Sequence, residues 1–203
     1  MTRTGSEYLE GLRDGRHVYL DGERVGDVSS HPAFRGVTRS VAAAYDMVNA
    51  TGNRELLTFV PDDHDRPVNR SFTIPRSRED LIAGRRALKR ISESSFGVIG
   101  RGPEHVAGYL AAFAANSHVF ARGGSEFGDN VVNFYRHVRD NDLFVSDVTV
   151  PPQIDRSKPA HQQAEPDLHA GVVAERDGGI VVKGAQMLGT ATAVSDYVLL
   201  SCI

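Results

Sequence analysis

An arginine and a histidine at the start of a predicted helix are the side chains best placed to do chemistry. Pro103 suits the first turn of a helix, so Arg101 lies just before that helix and His105 lies in its first turn. Both side chains can therefore face one cavity, beside free backbone N–H groups that favour an anion. The same pattern is also typical of an ordinary helix N-terminus with a solvated arginine and a capping histidine.

Two later segments could present polar groups to a flat ligand. In residues 150–156 the prolines keep the chain extended, so Gln153 and Arg156 could offer an amide and a fixed positive charge. Residues 184–192 are rich in small side chains that would let a ligand approach the backbone, with a threonine hydroxyl to donate a hydrogen bond. Either segment could equally be a connecting loop.

Patterns typical of other chemistry are weak or absent in the sequence. The glycines of residues 97–102 lack the spacing of a dinucleotide-binding loop and follow a predicted helix rather than a strand. The eight histidines show no metal-binding spacing, so we expect no metal site. The single cysteine, Cys202, excludes a disulfide framework and lies in an apolar run, where a core position is favoured over a nucleophile.

The composition is that of a globular protein. The 203 residues are 40% hydrophobic and carry a net charge of −3, which gives no electrostatic reason to expect nucleic acid as a partner. The length suits one large domain or two small ones. No apolar run reaches the roughly 18 residues that span a bilayer, so we expect no membrane segment and a cytoplasmic protein.

The residue pattern predicts helices up to about residue 142 and strands after it. An Asp21-Gly22 pair suits the type I′ turn of a hairpin over 18–25, and residues 61–75 are expected to be a loop. Tyr109 counts here as one of the apolar positions of its helix. The chain stops inside an apolar run, which suits either a docked edge strand or a β-domain of which part is missing. The predicted helices cover residues 6–14, 32–50, 77–91, 103–113 and 127–139, and the predicted strands cover 143–150, 170–174, 180–183 and 197–203.

Several of these segments together resemble one known family along the whole chain. The family is that of the large component of flavin-dependent 4-hydroxyphenylacetate 3-monooxygenases, with its chlorophenol, nitrophenol and tyrosine hydroxylase relatives. The matching motifs are Arg3-Thr4-Gly5-x-x-Tyr8-Leu9, Gly15-Arg16-x-Val18-Tyr19-x-x-Gly22-Glu23, His31-Pro32-x-Phe34, Gly100-Arg101-x-Pro103, Pro152-Gln153-Ile154-Asp155-Arg156, Gly184-Ala185-x-Met187-Leu188-x-Thr190 and Ser195-Asp196.

The resemblance implies an α+β, acyl-CoA-dehydrogenase-like fold. Such proteins have an N-terminal helical domain, a middle β-domain and a C-terminal helical bundle, and they assemble as oligomers. Family members are much longer than this chain. We therefore expect a helical domain over residues 1–142 and the first part of a β-domain over 143–203, with the C-terminal bundle missing.

The activity implied by the resemblance is hydroxylation of a phenol by the oxygenase component of a two-component system. Such enzymes receive reduced FAD from a separate flavin reductase and transfer oxygen from a flavin C4a-hydroperoxide to a small aromatic substrate, either free or carrier-bound. A complementary C-terminal chain in a homo- or hetero-oligomer is then expected. The alternative is a non-catalytic assembly or binding subunit of the same fold. A further relative, 4-hydroxybutyryl-CoA dehydratase, needs an iron–sulfur cluster, and a single cysteine argues against it.

The resemblance also assigns roles by position. Arg101, His105 and Asp147 would be catalytic, although His105 stands where many members have tyrosine and Asp147 where the 4-hydroxyphenylacetate branch has histidine. A carboxylate at that position cannot donate a hydrogen bond and would oppose a phenolate, but would suit a base or a substrate that carries an amine. The expected flavin-binding residues are Asp147, Val148, Thr149, Gln153, Ile154, Asp155, Arg156 and Thr190. The expected substrate-binding residues are Arg101, Gly102, Pro103, Glu104, His105, Ser201 and Cys202.

Overall fold

The computed structural model describes residues 2–165 and 167–201, in which helices dominate up to residue 140 and strands dominate after it. No helix in these ranges is long and apolar enough to cross a bilayer. The helices are α1 (Gly5–Gly11), α2 (Arg35–Asn49), α3 (Arg54–Leu57), α4 (Arg78–Ser94), α5 (Pro103–Ala115), α6 (Ser117–Phe120) and α7 (Ser125–Asp140). The strands are β1 (Val18–Leu20), β2 (Glu23–Val25), β3 (Thr58–Phe59), β4 (Val68–Asn69), β5 (Val145–Val148), β6 (Gly171–Arg176), β7 (Gly179–Lys183) and β8 (Tyr197–Leu200).

Local signals in the sequence account for several element boundaries. Ser77 begins α4 through a capping box, in which its side chain accepts a hydrogen bond from the amide of Asp80 and the Asp80 side chain accepts one from the amide of Ser77. Asp21 and Gly22 have φ values of 53° and 84°, which confirms the predicted turn between β1 and β2.

Three expectations for the helical part were wrong. Helix α2 begins at Arg35 rather than at Pro32, because Phe34 donates its amide to the carbonyl of His31, three residues back, in a turn that precedes the helix. The segment expected to be a loop contains β4, which pairs with β3 through the antiparallel register Phe59↔Val68. Helix α6 lies between α5 and α7, where no helix was expected.

Two strand pairs form the β-rich part. Strands β6 and β7 make the predicted hairpin, with a register shift between Val172 and Ala174. Strands β5 and β8 pair in parallel, with Asp147 opposite Leu199. Since parallel strands end at the same edge of a sheet, this pairing places the residues after β5 beside those after β8. The amide of Ser201 accordingly donates to the carbonyl of Val148 at 3.0 Å.

Strand β5 is anchored by hydrophobic cores on both of its faces. Phe144, just before β5, packs in one cluster with Tyr8, Tyr45 and neighbouring apolar side chains of α1 and α2. Val145 packs in a second cluster with Leu110 of α5 and apolar side chains of α7. Successive strand residues point to opposite faces, so Asp147 shares the face of Val145 and is directed toward α5. The expected division into two domains at residue 142 stays a prediction.

A largely buried ion pair joins the two ends of the described chain. Arg3 donates to Asp196 with both terminal nitrogens, at 2.6 and 3.0 Å, and Asp196 also accepts the amide of Phe144 at 2.8 Å. The guanidinium of Arg3 lies over the rings of Tyr8 and Tyr45, 5.4 and 5.6 Å from their centroids. These contacts hold the N-terminal segment against the start of β5.

Candidate active site

The N-terminus of α5 and the end of β5 bring together three charged or titratable side chains. Gly102 is the N-cap of α5 and Pro103 begins its first turn, as the sequence predicts. Arg101 therefore precedes the helix and His105 lies in its first turn. Asp147 reaches the same place from β5, because the packing of Val145 directs that face of the strand toward α5.

The carboxylate of Asp147 is the centre of this group. Nη1 of Arg101 lies 3.3 Å from Oδ2 and 3.4 Å from Oδ1 of Asp147, and Nε2 of His105 lies 3.8 Å from Oδ1. The side chain of Asp147 is 10% exposed, whereas that of Arg101 is 46% exposed. The site thus pairs an inward carboxylate with a cation that is open to solvent, and an imidazole stands beside them.

Tyr109 is a fourth member of the group that sequence reasoning missed. Its hydroxyl lies 3.1 Å from Nε2 of His105, and the two rings meet edge to face with centroids 4.9 Å apart. Residues four apart on a helix are neighbours, so the His105–Tyr109 spacing on α5 was a usable signal. It was overlooked because Tyr109 was counted with the apolar positions of the helix.

Glu104 does not join the group, although the resemblance placed it at the substrate. Its side chain lines clefts beside α4 and α2. Burial raises the pKa of the Glu104 carboxyl, while the backbone amides of Glu104 and Gly102 act in the opposite direction. A Cβ added at Gly102 would collide with this carboxylate. Glu104 and Gly102 therefore shape the turn that carries Arg101.

A second segment lies along the end of β5. The amide of Met187 donates to the carbonyl of Val150 at 2.8 Å. Gly189 packs so closely that an added Cβ would lie 2.6 Å from Cγ1 of Val148. Thr190 follows that glycine. The backbone hydrogen bond from Ser201 to Val148 brings Ser201 to the same place. One edge of the sheet therefore carries four of the expected residues, Val148, Thr149, Thr190 and Ser201.

The other expected flavin residues lie in a loop with contacts of its own. Nη1 of Arg156 is 3.5 Å from Oε1 of Gln153, and Asp155 pairs with Lys158 at 3.3 Å. Ile154 is half-buried. Within residues 2–165 and 167–201 no hydrogen bond or ion pair connects this loop to Arg101, His105 or Asp147. Cys202, expected at the substrate, lies outside the described residues.

The edge of the sheet also holds a polar group that fits a planar, hydrogen-bonding ring. Nε2 of Gln186 donates to the carbonyl of Ser201 at 3.1 Å, and its Oε1 is buried with no partner in the described part of the chain. A ring N–H would satisfy that oxygen. Among the same residues, no cluster of three or more His, Cys, Asp or Glu side chains is placed to hold a metal ion.

Comparison with known proteins identifies the family. The family model described as 4-hydroxyphenylacetate 3-hydroxylase N terminal matches residues 4–203. The chain belongs to this family.

Named relatives agree with this assignment. The chain is 37% identical over 191 residues to the oxygenase component of 4-hydroxyphenylacetate 3-monooxygenase of Thermus thermophilus, covering 94% of this chain and 38% of that protein. It is 39% identical over 198 residues to the oxygenase component of 4-nitrophenol 2-monooxygenase of Rhodococcus sp, covering 95% and 36%. The chain thus spans less than two-fifths of the length of these relatives.

Solved structures confirm the predicted fold class. The crystal structure of the oxygenase component of a 4-hydroxyphenylacetate 3-monooxygenase complexed with FAD matches with a TM-score of 0.92 and 36% identity, covering 99% of this chain and 41% of that one. A 4-hydroxybutyryl-CoA dehydratase from N. maritimus matches with a TM-score of 0.85 at 24% identity, covering 100% and 40%. The second likeness extends to the fold alone. The α+β, acyl-CoA-dehydrogenase-like architecture follows.

Proposed function

We propose that this chain is the N-terminal part of the oxygenase component of a two-component, FADH2-using phenol hydroxylase. The observation that carries the proposal is the convergence of Arg101, His105 and Asp147 beside the edge of the sheet formed by β5 and β8. A cation, an imidazole and a carboxylate there can bind and orient a phenol. The family and the activities named for its relatives support the same reaction class.

Reduced FAD, when bound, would supply the activation of molecular oxygen. The residues proposed to hold it are Asp147, Val148, Thr149, Gln153, Ile154, Asp155, Arg156 and Thr190. Oε1 of Gln186 is buried without a hydrogen-bond partner in the described residues, and an N–H of the flavin ring would satisfy it. Residues 153–156 would contribute from the loop that follows β5.

The chain's own groups would control the charge of the substrate. Arg101 carries a permanent positive charge, which favours a phenolate oxygen and so a more reactive ring. In the present geometry that charge is balanced by Asp147 at 3.3 Å. An incoming phenol oxygen must therefore share the guanidinium with the carboxylate, and Oδ1 or Oδ2 of Asp147 is placed to accept the phenol proton.

Asp147 also bears on the choice of substrate. An inward carboxylate only accepts hydrogen bonds, so it favours a ligand that brings a donor. We expect a small aromatic substrate with a phenol hydroxyl, and an amine elsewhere on the molecule would complement Asp147 further. The proposed partners are a flavin reductase, a complementary C-terminal part, in the same or a second chain, and further copies in an oligomer. The proposed compartment is the cytoplasm.

The proposal is tested by measuring the dissociation constant for a phenol in the assembled wild-type protein and in two variants of it. Arg101→Gln removes the cation and keeps hydrogen-bonding capacity, and Arg122→Gln is a matched change at an exposed arginine of the α6–α7 connection. We expect the dissociation constant for a phenol to rise about 100-fold in Arg101→Gln, as for loss of a charged hydrogen bond. Arg122→Gln should bind as the wild type does. Equal affinities in all three proteins would contradict the proposal.

A second candidate function is a non-catalytic subunit of the same fold. The ion pair between Asp147 and Arg101 favours it, because a neutralised arginine attracts a phenolate less. This candidate predicts flavin or phenol binding by the assembled protein without any hydroxylated product, which a product assay distinguishes from the first proposal.

A further inference from the structure

One nitrogen of His105 faces two competing partners. Nε2 lies 3.1 Å from the hydroxyl of Tyr109 and 3.8 Å from Oδ1 of Asp147. Only the first distance is that of a hydrogen bond. Tyr109 is 42% exposed and carries its hydroxyl one helical turn beyond the histidine.

The relative distances indicate which nitrogen carries the proton. A neutral imidazole has one N–H and one lone pair. If Nε2 carried the proton, the charged carboxylate of Asp147 would be a stronger acceptor than a neutral hydroxyl and would draw the ring toward itself. Nε2 instead lies closer to the Tyr109 hydroxyl, which is the geometry expected when Nε2 accepts a hydrogen bond from that hydroxyl and Nδ1 carries the proton. Within residues 2–165 and 167–201 no hydrogen bond to Nδ1 of His105 is found, which leaves its N–H for a ligand.

We infer that Tyr109 is a positioning residue of the site, which fixes His105 in the tautomer protonated on Nδ1. In that tautomer His105 is a hydrogen-bond donor on its free side. In the opposite tautomer Nε2–H would turn to Asp147, and Nδ1 would accept a proton, so His105 would act as a base. Tyr109 thereby decides whether His105 donates to a substrate oxygen or accepts from it. The role toward substrate rests on the proposed function, whereas the tautomer does not.

The test is nitrogen NMR of the histidine rings in the 203-residue chain labelled with ¹⁵N-histidine. Tyr109→Phe removes the hydroxyl and keeps the ring, and Tyr19→Phe is the matched control at an exposed tyrosine of β1. His105→Gln assigns the signals of His105 by their disappearance. Spectra recorded near pH 8.5, where histidines are ordinarily neutral, report the tautomer directly.

We expect the wild type and Tyr19→Phe to show His105 protonated on Nδ1. In Tyr109→Phe the ratio of the two tautomers should shift about 3- to 10-fold toward Nε2–H, the change in equilibrium that one net hydrogen bond produces. An unchanged ratio in Tyr109→Phe, or a wild type already protonated on Nε2, would overturn the inference.

A second measurement separates this inference from the proposed function. In the assembled protein, Tyr109→Phe should lower kcat/KM for a phenol about 3- to 10-fold, with flavin affinity unchanged. If the tautomer shifts while turnover stays the same, His105 does not act on the substrate, and the role of Tyr109 in the reaction is refuted. If the assembled wild type shows no turnover, the proposed function fails, and the tautomer result stands by itself.

Discussion

Replacement of Asp142 by asparagine should remove a pH dependence from the stability of the fold. Asp142 is 4% exposed and follows α7 with a φ of 48°. Burial raises the pKa of its carboxyl from 3.8 to about 7, although the charge of Arg3 and a hydrogen bond from Asn69 act in the opposite direction. Its Oδ2 is buried without a hydrogen-bond partner in the described residues. At neutral pH the site therefore holds a carboxyl group that is costly to ionise.

The direction and size of the effect follow from proton linkage. Between about pH 4 and pH 7 the folded state binds a proton at Asp142 that the unfolded state has released. The stabilisation is complete below the unfolded pKa and is lost as the pH rises through the folded pKa. With a folded pKa of about 7 and an unfolded pKa of 3.8, the wild type should lose about 2.5 kcal/mol through this group between pH 5 and pH 8.

The assay is urea unfolding followed by circular dichroism at several pH values between 5 and 8.5. Asp142→Asn cannot titrate, so the difference in unfolding free energy between wild type and variant should change by about 2.5 kcal/mol over that range, in favour of the variant at high pH. Asp129→Asn, at an exposed position of α7, serves as the matched control and should show no such change. A difference that is constant with pH, or that favours the wild type at high pH, would refute the reasoning.

Two further predictions concern the packing around β5. Phe144 is 1% exposed, so Phe144→Ala should lower the unfolding free energy by about 3–5 kcal/mol. Phe96→Ala is the control, because the Phe96 side chain is 94% exposed and its loss should cost about 0.5 kcal/mol or less. A small loss in Phe144→Ala would show that Phe144 is not a core residue. Gly189→Ala places a Cβ 2.6 Å from Cγ1 of Val148 and should lower the unfolding free energy by about 1–3 kcal/mol in the same assay. Gly178→Ala is the control, since a Cβ there meets no atom within 4 Å. Equal stability of the two variants would contradict the close packing at Gly189.

One half of the candidate site was predictable because it had a local signal. The pattern around Pro103 placed Arg101 and His105 at the start of α5, and the caps and turns that define helices act over a few residues. Asp147 was assigned to the site only by the family resemblance. Its position relative to α5 depends on the packing of Val145, and no local pattern expresses that contact.

What the sequence did not predict depends on distant pairing or on very short elements. The parallel alignment of β5 with β8 joins residues about fifty positions apart, and alternating hydrophobicity does not specify a partner. The pair β3–β4 has two residues in each strand, too few for a periodic signal. Glu104 lines clefts on the α4 and α2 side of the turn, which no local pattern indicated, and its assignment to the substrate stays a prediction.

The most direct test of the central claim is product formation from isotopic oxygen. The assembled protein isolated from its source would be supplied with FAD, a flavin reductase, reduced nicotinamide and ¹⁸O₂, with 4-hydroxyphenylacetate and tyramine as separate substrates. The proposed function predicts a catechol that carries one ¹⁸O atom, and loss of that product in Arg101→Gln while flavin stays bound. Consumption of reduced FAD and oxygen without any labelled catechol, or full product formation by Arg101→Gln, would contradict it.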